Sequence, residues 1–527
     1  MKKLLAAMLA ILMMVSFAAV SGAESKFDGP RMEISIFGWD LEYSFSDDGS
    51  ADAMREYVED RFNITIKPIS VGWDGSAQTL AETWAFAGTL PDVVSAQDMW
   101  WSATFRQWVD DEIIRPIPAS IYSKYPSLNA VMTADDVMGL NVNGENYFFP
   151  HASYSDPKWW CMDRGILNRK DWREALGFDI PKTKQDFIDL CVAYATMDPK
   201  GDGSYTTGLT FGKYVFMDSQ VLASFGWTNN MYPMLSESGE LVIPTLEESA
   251  LPAFSFLREM NKAGGLDPDV FTYVTENDGI EAFVSGKAGM LGTQVTPKFI
   301  YDKVGNDFRA VTGVTDLLDA LEILDPPNDT GLNPVAFTTG TFWSEAYVNA
   351  NVSDEKLDRI CALYDFLLSE EGMMLLYCGF EGQDWERVDG AIKLLNTDPE
   401  TGEGVLAGSK YTFAAGGMTY LASWYADFDY SKPTYPANLL EYCAEVREHR
   451  IRDWDFPVID FRLNGMDVPE RAAMTALDTY WVPFVNDLTD TDDMTAFKAL
   501  QAEWDAGGYA AAKAAMTEKA KELGYID

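Results

Sequence analysis

An α/β fold spread over two or more domains is what this sequence predicts, and three observations carry the prediction. Strand-like and helix-like stretches alternate along the chain, as they do where helices pack on a largely parallel sheet. The 527 residues exceed what one hydrophobic core normally serves. Apolar residues make up 47% of them, which is enough to fill such cores and too many for a disordered chain.

The elements follow in order. Lys2 and Lys3 precede an apolar run from Leu4 to Val20, and Ser21-Gly22-Ala23 offers the small residues that a signal peptidase reads. Residues 1–23 are therefore expected to be a secretory signal. No cysteine lies there to take a lipid, so a soluble exported protein is expected, periplasmic or extracellular. No other stretch is long and apolar enough to span a bilayer. MEISIF (32–37) alternates as a strand does and ends at Gly38-Trp39-Asp40. Met54, Tyr57, Val58 and Phe62 recur on one face of a helix. NITIKPIS is a second strand, and a helix through Leu80, Trp84 and Phe86 comes after it. In GTLPDVV, Pro91-Asp92 suits a turn and Val93-Val94 a buried strand. A helix near Phe105, Trp108 and Val109 completes a doubly wound start.

Further on, Thr183 can cap a helix, with Asp186 three residues later in the capping-box position. Phe187, Leu190, Cys191 and Tyr194 then share a face. Ser353 can cap another helix, with Asp354 and Glu355 at its positive end. Its apolar side is Leu357, Ile360, Cys361, Tyr364 and Leu368, and Gly372 is expected to help end it. The C-terminal AAAKAAMTEKAKELG is a strong helix former.

Charge and chemistry-bearing residues exclude several functions. The formal net charge is −42, and loss of Lys2 and Lys3 with the signal makes it −44. Such a surface repels phosphate backbones and anionic headgroups, so no nucleic-acid partner is expected. Five scattered cysteines (Cys161, Cys191, Cys361, Cys378, Cys443) form no C-x-x-C pair and allow at most two bridges. With only His151 and His449, a histidine metal site and a Ser/His/Asp triad are both disfavoured.

Seven motifs in order now point to a family: GTLPDVV, WVDDEIIRPIPASIYSKYPSLNAVM, NVNGENYFFPH, LNRKDWREALGFDIPKTKQDFIDL, NKAGGLDPDVF, EAFVSGKAGMLG and CGFEGQDWERVDG. From about residue 34 to the C-terminus the chain resembles the extracellular solute-binding proteins of ABC importers (family 1). It is most similar to the large oligosaccharide-binding branch, with its alginate-oligosaccharide binders and LplA-like members. The resemblance implies a two-lobe, type II periplasmic-binding-protein-like fold with hinge crossings and a ligand cleft between the lobes. The crossings are expected near residues 149, 325 (in LDPPND) and 385. Residues 24–148 and 325–384 would form the N-terminal lobe, and 149–324 and 385–527 the C-terminal lobe. The implied partners are an oligosaccharide and ABC permease subunits, with a monomeric protein and no cofactor. DPKGDGSYTTGL resembles the family's EF-hand-like calcium loop but departs from it. Asp198, Asp202 and Gly203 fit positions one, five and six, whereas Lys200, Thr206 and Leu209 stand at three, nine and twelve, so no metal is expected there.

A sugar ring has an apolar C–H face and a hydroxyl rim, which an aromatic ring and a neighbouring carboxylate or amide can meet together. Strand-end loops pairing the two are the candidate site: Trp39 and Asp40; Asp98, Trp100 and Trp101; Tyr154 and Trp159; Trp227 and Asn229; Trp343 and Glu345; and Trp424. Trp172 reads as core. Arg106, Lys158 and Arg164 are the cations that could meet an acidic sugar, yet the acid-rich loops suit a neutral one better. No catalytic residue is expected. Two alternatives are a secreted glycoside hydrolase, with Asp427 and Asp429 beside Trp424 as its carboxylates, and a binder of peptides or of ligands presented to a membrane sensor.

Overall fold

The computed structural model describes residues 27–73, 75–97, 99, 102–212, 221–226, 232–336, 340–399, 402–456, 459–472, 474 and 481–527. The expected signal, with Asp98, Trp100, Trp101, Trp227 and Asn229, lies outside them. In chain order the main strands are β1 (Met32–Trp39), β2 (Ile64–Val71), β3 (Val93–Gln97), β4 (Phe148–Ala152), β5 (Gly165–Arg169), β6 (Thr207–Phe211), β7 (Ala288–Thr293), β8 (Leu321–Leu324) and β9 (Phe342–Val348).

The chain divides into two units. One takes the described residues within Met1–Trp100, Thr104–Ser153 and Phe342–Tyr425; the other takes those within Trp101–Ala103, Tyr154–Thr341 and Ala426–Asp527. The first crossing, expected near 149, falls after Ser153. The other two differ more from expectation. Residues 325–341 group with the second unit because Asn328 and Val335 bond to the 221–226 turn and Ala336 N–H donates to Asp455 O. Residues 385–425 group with the first, where Phe413, Met418, Leu421 and Ala422 sit in its core. The aromatic, irregular sequence of 385–425 has no period from which that packing could be read.

The first unit is built on a five-stranded sheet of order β2-β1-β3-β9-β4. β1 runs parallel to β2 and β3, while β9 runs antiparallel to β3 and to β4. Ile34, Ile36 and Phe37 of β1 are fully buried. The helix Ala53–Phe62 packs Met54, Val58 and Phe62 in one core with Ile34 and Ile36, capped by Asp52, whose carboxylate takes the N–H groups of Met54 and Arg55. The helix Asp354–Leu368 buries Leu357, Ile360, Cys361 and Tyr364 in the same core, as its spacing predicts. It ends at Ser369 rather than at Gly372. Ser369 is also the N-cap of the next helix, Glu370–Cys378, and its Oγ accepts the Gly372 N–H. The helix expected through Leu80, Trp84 and Phe86 spans Ala77–Ala87. Ala77 and Ala81 are buried, Trp84 meets Phe37 edge-on at 4.9 Å, and Phe86 is 96% exposed.

The second unit holds a four-stranded sheet of order β8-β5-β7-β6, antiparallel except for β6 beside β7. The helix Lys184–Thr196 covers it, opened by the Thr183–Asp186 capping box. Its Phe187, Leu190, Cys191 and Tyr194 are fully buried, and Trp172 packs edge-on to Tyr194 at 5.8 Å. The helices Leu251–Ala263, Asp493–Ala506 and Tyr509–Glu522 close the same core. All five cysteines are buried and none is in a disulfide. Among the described residues no helix is long and apolar enough to cross a membrane.

Candidate functional site

Strand directions bring distant residues to one edge of the first unit's sheet. β1, β2, β3 and β4 all end there, and β9, antiparallel to its neighbours, begins there. Trp39 is the last residue of β1, Trp73 lies two past β2, His151 is next to last in β4, and Trp343 is the second residue of β9. In open α/β sheets this carboxyl edge is where ligands collect. Trp343 owes its direction to an irregularity. Phe342 pairs with Ala152 and Ser344 with His151, so Trp343 is the extra residue of a bulge that re-aims its side chain. Trp424 arrives from a later segment, held by a bridge between Ala152 and Ser423 and by its own N–H donating to Ala152 O at 3.0 Å.

These rings form one continuous group. Trp39 and Trp73 stack at 4.5 Å with their planes 9° apart. Trp343 lies 5.3 Å from Trp39, 6.1 Å from Trp73 and 5.5 Å from Trp424. Trp424 in turn stacks on Tyr420 and on His151, each at 5.1 Å, and lies 5.8 Å from Trp73. Unlike the fully buried Trp481, Trp39, Trp343 and Trp424 are only half-buried, and Trp73 is 52% exposed.

Asp40 supplies the polar element. Its Oδ2 accepts the indole N–H of Trp73 at 2.8 Å and the hydroxyl of Tyr420 at 2.6 Å. Burial, and then the bond to Asp40, push the Tyr420 hydroxyl well above its ordinary pKa, so it stays a donor. Asp40 has φ +52°, a left-handed conformation that Asp tolerates better than most residues. Its carbonyl accepts the Gly417 N–H at 3.0 Å. A Cβ at Gly417 would stand 2.0 Å from the Trp39 carbonyl oxygen, so only glycine permits the approach that seats the Trp39–Asp40 turn. His151 binds the Ser344 hydroxyl through Nδ1 at 2.9 Å. Burial pushes it down to about 3, so it is neutral at any physiological pH.

Of the residues predicted from sequence, the structure thus brings Trp39, Asp40, Trp343 and Trp424 together. Glu345 does not join them. It is fully buried and accepts the Met99 N–H at 2.6 Å and the Tyr347 hydroxyl, at a position where β9 is paired on both sides, with Gln97 of β3 and Pro150 of β4. Tyr154 and Trp159 belong to the second unit. There Tyr154 is buried against Trp160 at 5.2 Å, and Trp159 meets Tyr430 edge-on at 5.1 Å with the Arg447 guanidinium 3.5 Å over its ring. Trp73, Tyr420 and His151 escaped the sequence reading. Trp73 carried a usable signal, since Gly72-Trp73-Asp74 follows a strand just as Gly38-Trp39-Asp40 does. A cavity of about 350 Å³ elsewhere in the first unit, lined by Tyr57, Phe366, Met374, Phe380, Trp385 and Arg387 among others, contains none of this aromatic group.

The calcium-like loop is closed by its own atoms. Gly203 N–H donates to Asp198 Oδ2 at 3.0 Å, Ser204 N–H donates to Asp202 Oδ1 at 2.8 Å, and the Lys200 ammonium lies 3.6 Å from Asp202. Among the described residues no group of three or more His, Cys, Asp or Glu is placed to hold a metal ion. The carboxylates considered for hydrolysis are otherwise engaged. Asp427 accepts the Ser155 N–H at 2.9 Å, and Asp429 is buried, which pushes it up to about 6.

No family model matches the chain. Three curated relatives match it, two of them named for the saccharides they bind. It is 25% identical over 279 residues to the fructooligosaccharide ABC transporter substrate-binding protein FusA of Streptococcus pneumoniae, covering 48% of the chain and 46% of the relative. It is 24% identical over 237 residues to the lipoprotein LipO of Bacillus subtilis, covering 44% and 45%. Both matches span about half the relative's length. A third, at 23% over 382 residues and 70% of each chain, is the polygalacturonan/rhamnogalacturonan-binding protein YtcQ of Bacillus subtilis. Among solved structures, the alginate-binding protein AlgQ2 without calcium ion superimposes with a TM-score of 0.69 at 14% identity, covering 95% of this chain and 99% of that one. FusA in complex with kestose does so with a TM-score of 0.62 at 15% identity, covering 94% and 99%. Among these similar proteins FusA is named as a substrate-binding protein of an ABC transporter, and YtcQ and AlgQ2 are named for the polysaccharides they bind; the chain has the two-domain α/β fold of FusA and AlgQ2.

Proposed function

We propose that the chain is an exported substrate-binding protein that captures an oligosaccharide and delivers it to an ABC-type membrane permease. The observation that carries the reading is the group of half-buried tryptophans around Asp40 at the carboxyl edge of the first unit's sheet. Indole faces cover the C–H face of a pyranose or furanose ring, and Asp40 takes a hydroxyl at its rim. Trp39, Asp40, Trp343 and Trp424 are the proposed contacts, joined by Tyr420. Relatives named for fructooligosaccharides and for uronate-rich polymers leave both neutral and acidic sugars open. The group itself favours a neutral one, because its only charge is a carboxylate and its histidine is neutral. Arg164 is paired with Asp163, and Lys158 lies over Phe456.

Binding without hydrolysis fits the engagement of Asp427 and the burial of Asp429. Calorimetry against kestose, maltotriose, cellotriose, mannotriose and a trigalacturonate tests the reading. At least one neutral trisaccharide should bind and come through the incubation uncleaved. Trp39→Ala and Trp424→Ala should each weaken it tenfold or more while shifting the Tm of the empty protein by only a few degrees. Retained affinity in both variants would remove the aromatic group from the site.

A further inference from the structure

The two positions a sugar needs in the first unit are already taken by a side chain of the chain itself. Trp73 covers a face of Trp39 at 4.5 Å with planes 9° apart, which leaves no room for a sugar ring on that face. The same indole donates its N–H to Asp40 Oδ2 at 2.8 Å, where a sugar hydroxyl would donate. An apolar face with one polar hydrogen at its rim is the chemical description of both groups. Trp73 differs from the other rings in being 52% exposed and in its surroundings. Its neighbours Gly72 and Gly75 stand in the open, with nothing within 4 Å of where a Cβ would be, and Gly75 has φ +81°. Trp39, by contrast, is the end of a paired strand, and Trp343 lies in one.

We propose that Trp73 is a displaceable stand-in for the sugar: it fills the Trp39–Asp40 subsite when no ligand is bound, and a ligand must evict it. The inference rests on the carbohydrate reading above. It makes Trp73 a determinant of affinity through competition rather than through contact. If the indole holds the subsite about nine-tenths of the time, the apparent Kd is about ten times the intrinsic one. The stand-in covers the Trp39 face and adds a second donor to the Asp40 carboxylate, which without it would keep only the Tyr420 hydroxyl.

The test uses the full chain and whichever neutral trisaccharide of the panel binds the wild type most tightly. Trp73→Ala should lower its Kd about tenfold and raise the association rate. Trp73→Phe, which keeps an aromatic face and loses the N–H, should fall between the two. Because Trp73 is half exposed, both variants are expected to fold, and a cooperative melting transition checks this for each. Weaker or unchanged binding by Trp73→Ala overturns the proposal and makes Trp73 an ordinary contact or a bystander, while leaving the carbohydrate reading intact. If neither the wild type nor Trp73→Ala binds any neutral sugar, the carbohydrate reading fails and this proposal with it.

Discussion

Asp429 shows how one buried side chain couples stability to pH. It is 6% exposed, faces the ammonium groups of Lys298 and Lys432 and the carboxylate of Asp302, and is pushed up to about 6 by burial. Its unfolded value is about 3.9. The folded state therefore holds a proton that the unfolded state releases between about pH 4 and 6. The stabilisation from that proton is complete below about 4 and is lost as pH rises through 6. Asp429→Asn mimics the protonated acid at every pH. It should match the wild type near pH 4 and exceed it by about 3 kcal/mol at pH 7.5, as read from urea unfolding at the two pH values. Equal stability at both would mean the carboxylate is ionised throughout.

At the scale of elements, local sequence and local structure agree where the signal is an N-cap or a helical period, while the expected stop at Gly372 gave way to Ser369. The Thr183–Asp186 box and the faces of the helices Lys184–Thr196 and Asp354–Leu368 were legible because their contacts lie within a few residues. In the helix Ala77–Ala87 the buried residues are Ala77 and Ala81 and Phe86 is exposed, because the alanines let it approach the sheet closely. The 198–209 loop belongs to this scale too. Asp198 takes φ +48° and receives the Gly203 N–H, while Lys200 places its ammonium near Asp202. The turn is thus satisfied by backbone donors and an internal cation, with two carboxylates too few for calcium. Adding millimolar calcium or EDTA should move the Tm by less than about 1 °C, as scanning calorimetry would read it. A calcium-dependent rise of several degrees would contradict this.

For the molecule as a whole, the cysteines give a clear expectation. The sequence left up to two disulfides open, and the structure buries all five thiols in core positions without a bridge. Burial pushes the Cys161 and Cys443 thiols up to about 12, so no thiolate is available at neutral pH. An aromatic disulfide reagent should titrate none of the five in the native protein and all five in guanidinium, and a reductant should leave the Tm unchanged. Fast labelling of one native thiol would show that its core segment opens.

The sequence by itself determined the class of protein. Alternating strand and helix patterns pointed to α/β, charge and few histidines excluded several functions, and the resemblance carried by seven ordered motifs implied a two-domain binding protein; each of those signals is local or compositional. It also marked Trp39, Asp40, Trp343 and Trp424, since an aromatic beside an acid after a strand is a pattern within a few residues. Only the tertiary structure decided which of those patterns converge. Strand direction carries Trp39, Trp73, His151 and Trp343 to one sheet edge, a bulge turns Trp343 while pairing on both sides holds Glu345 inside the sheet, and pairing about 270 residues downstream delivers Trp424 to Ala152. Such contacts depend on register and on which strands lie side by side. Those are set by the packing of whole cores, and no window of neighbouring residues contains them.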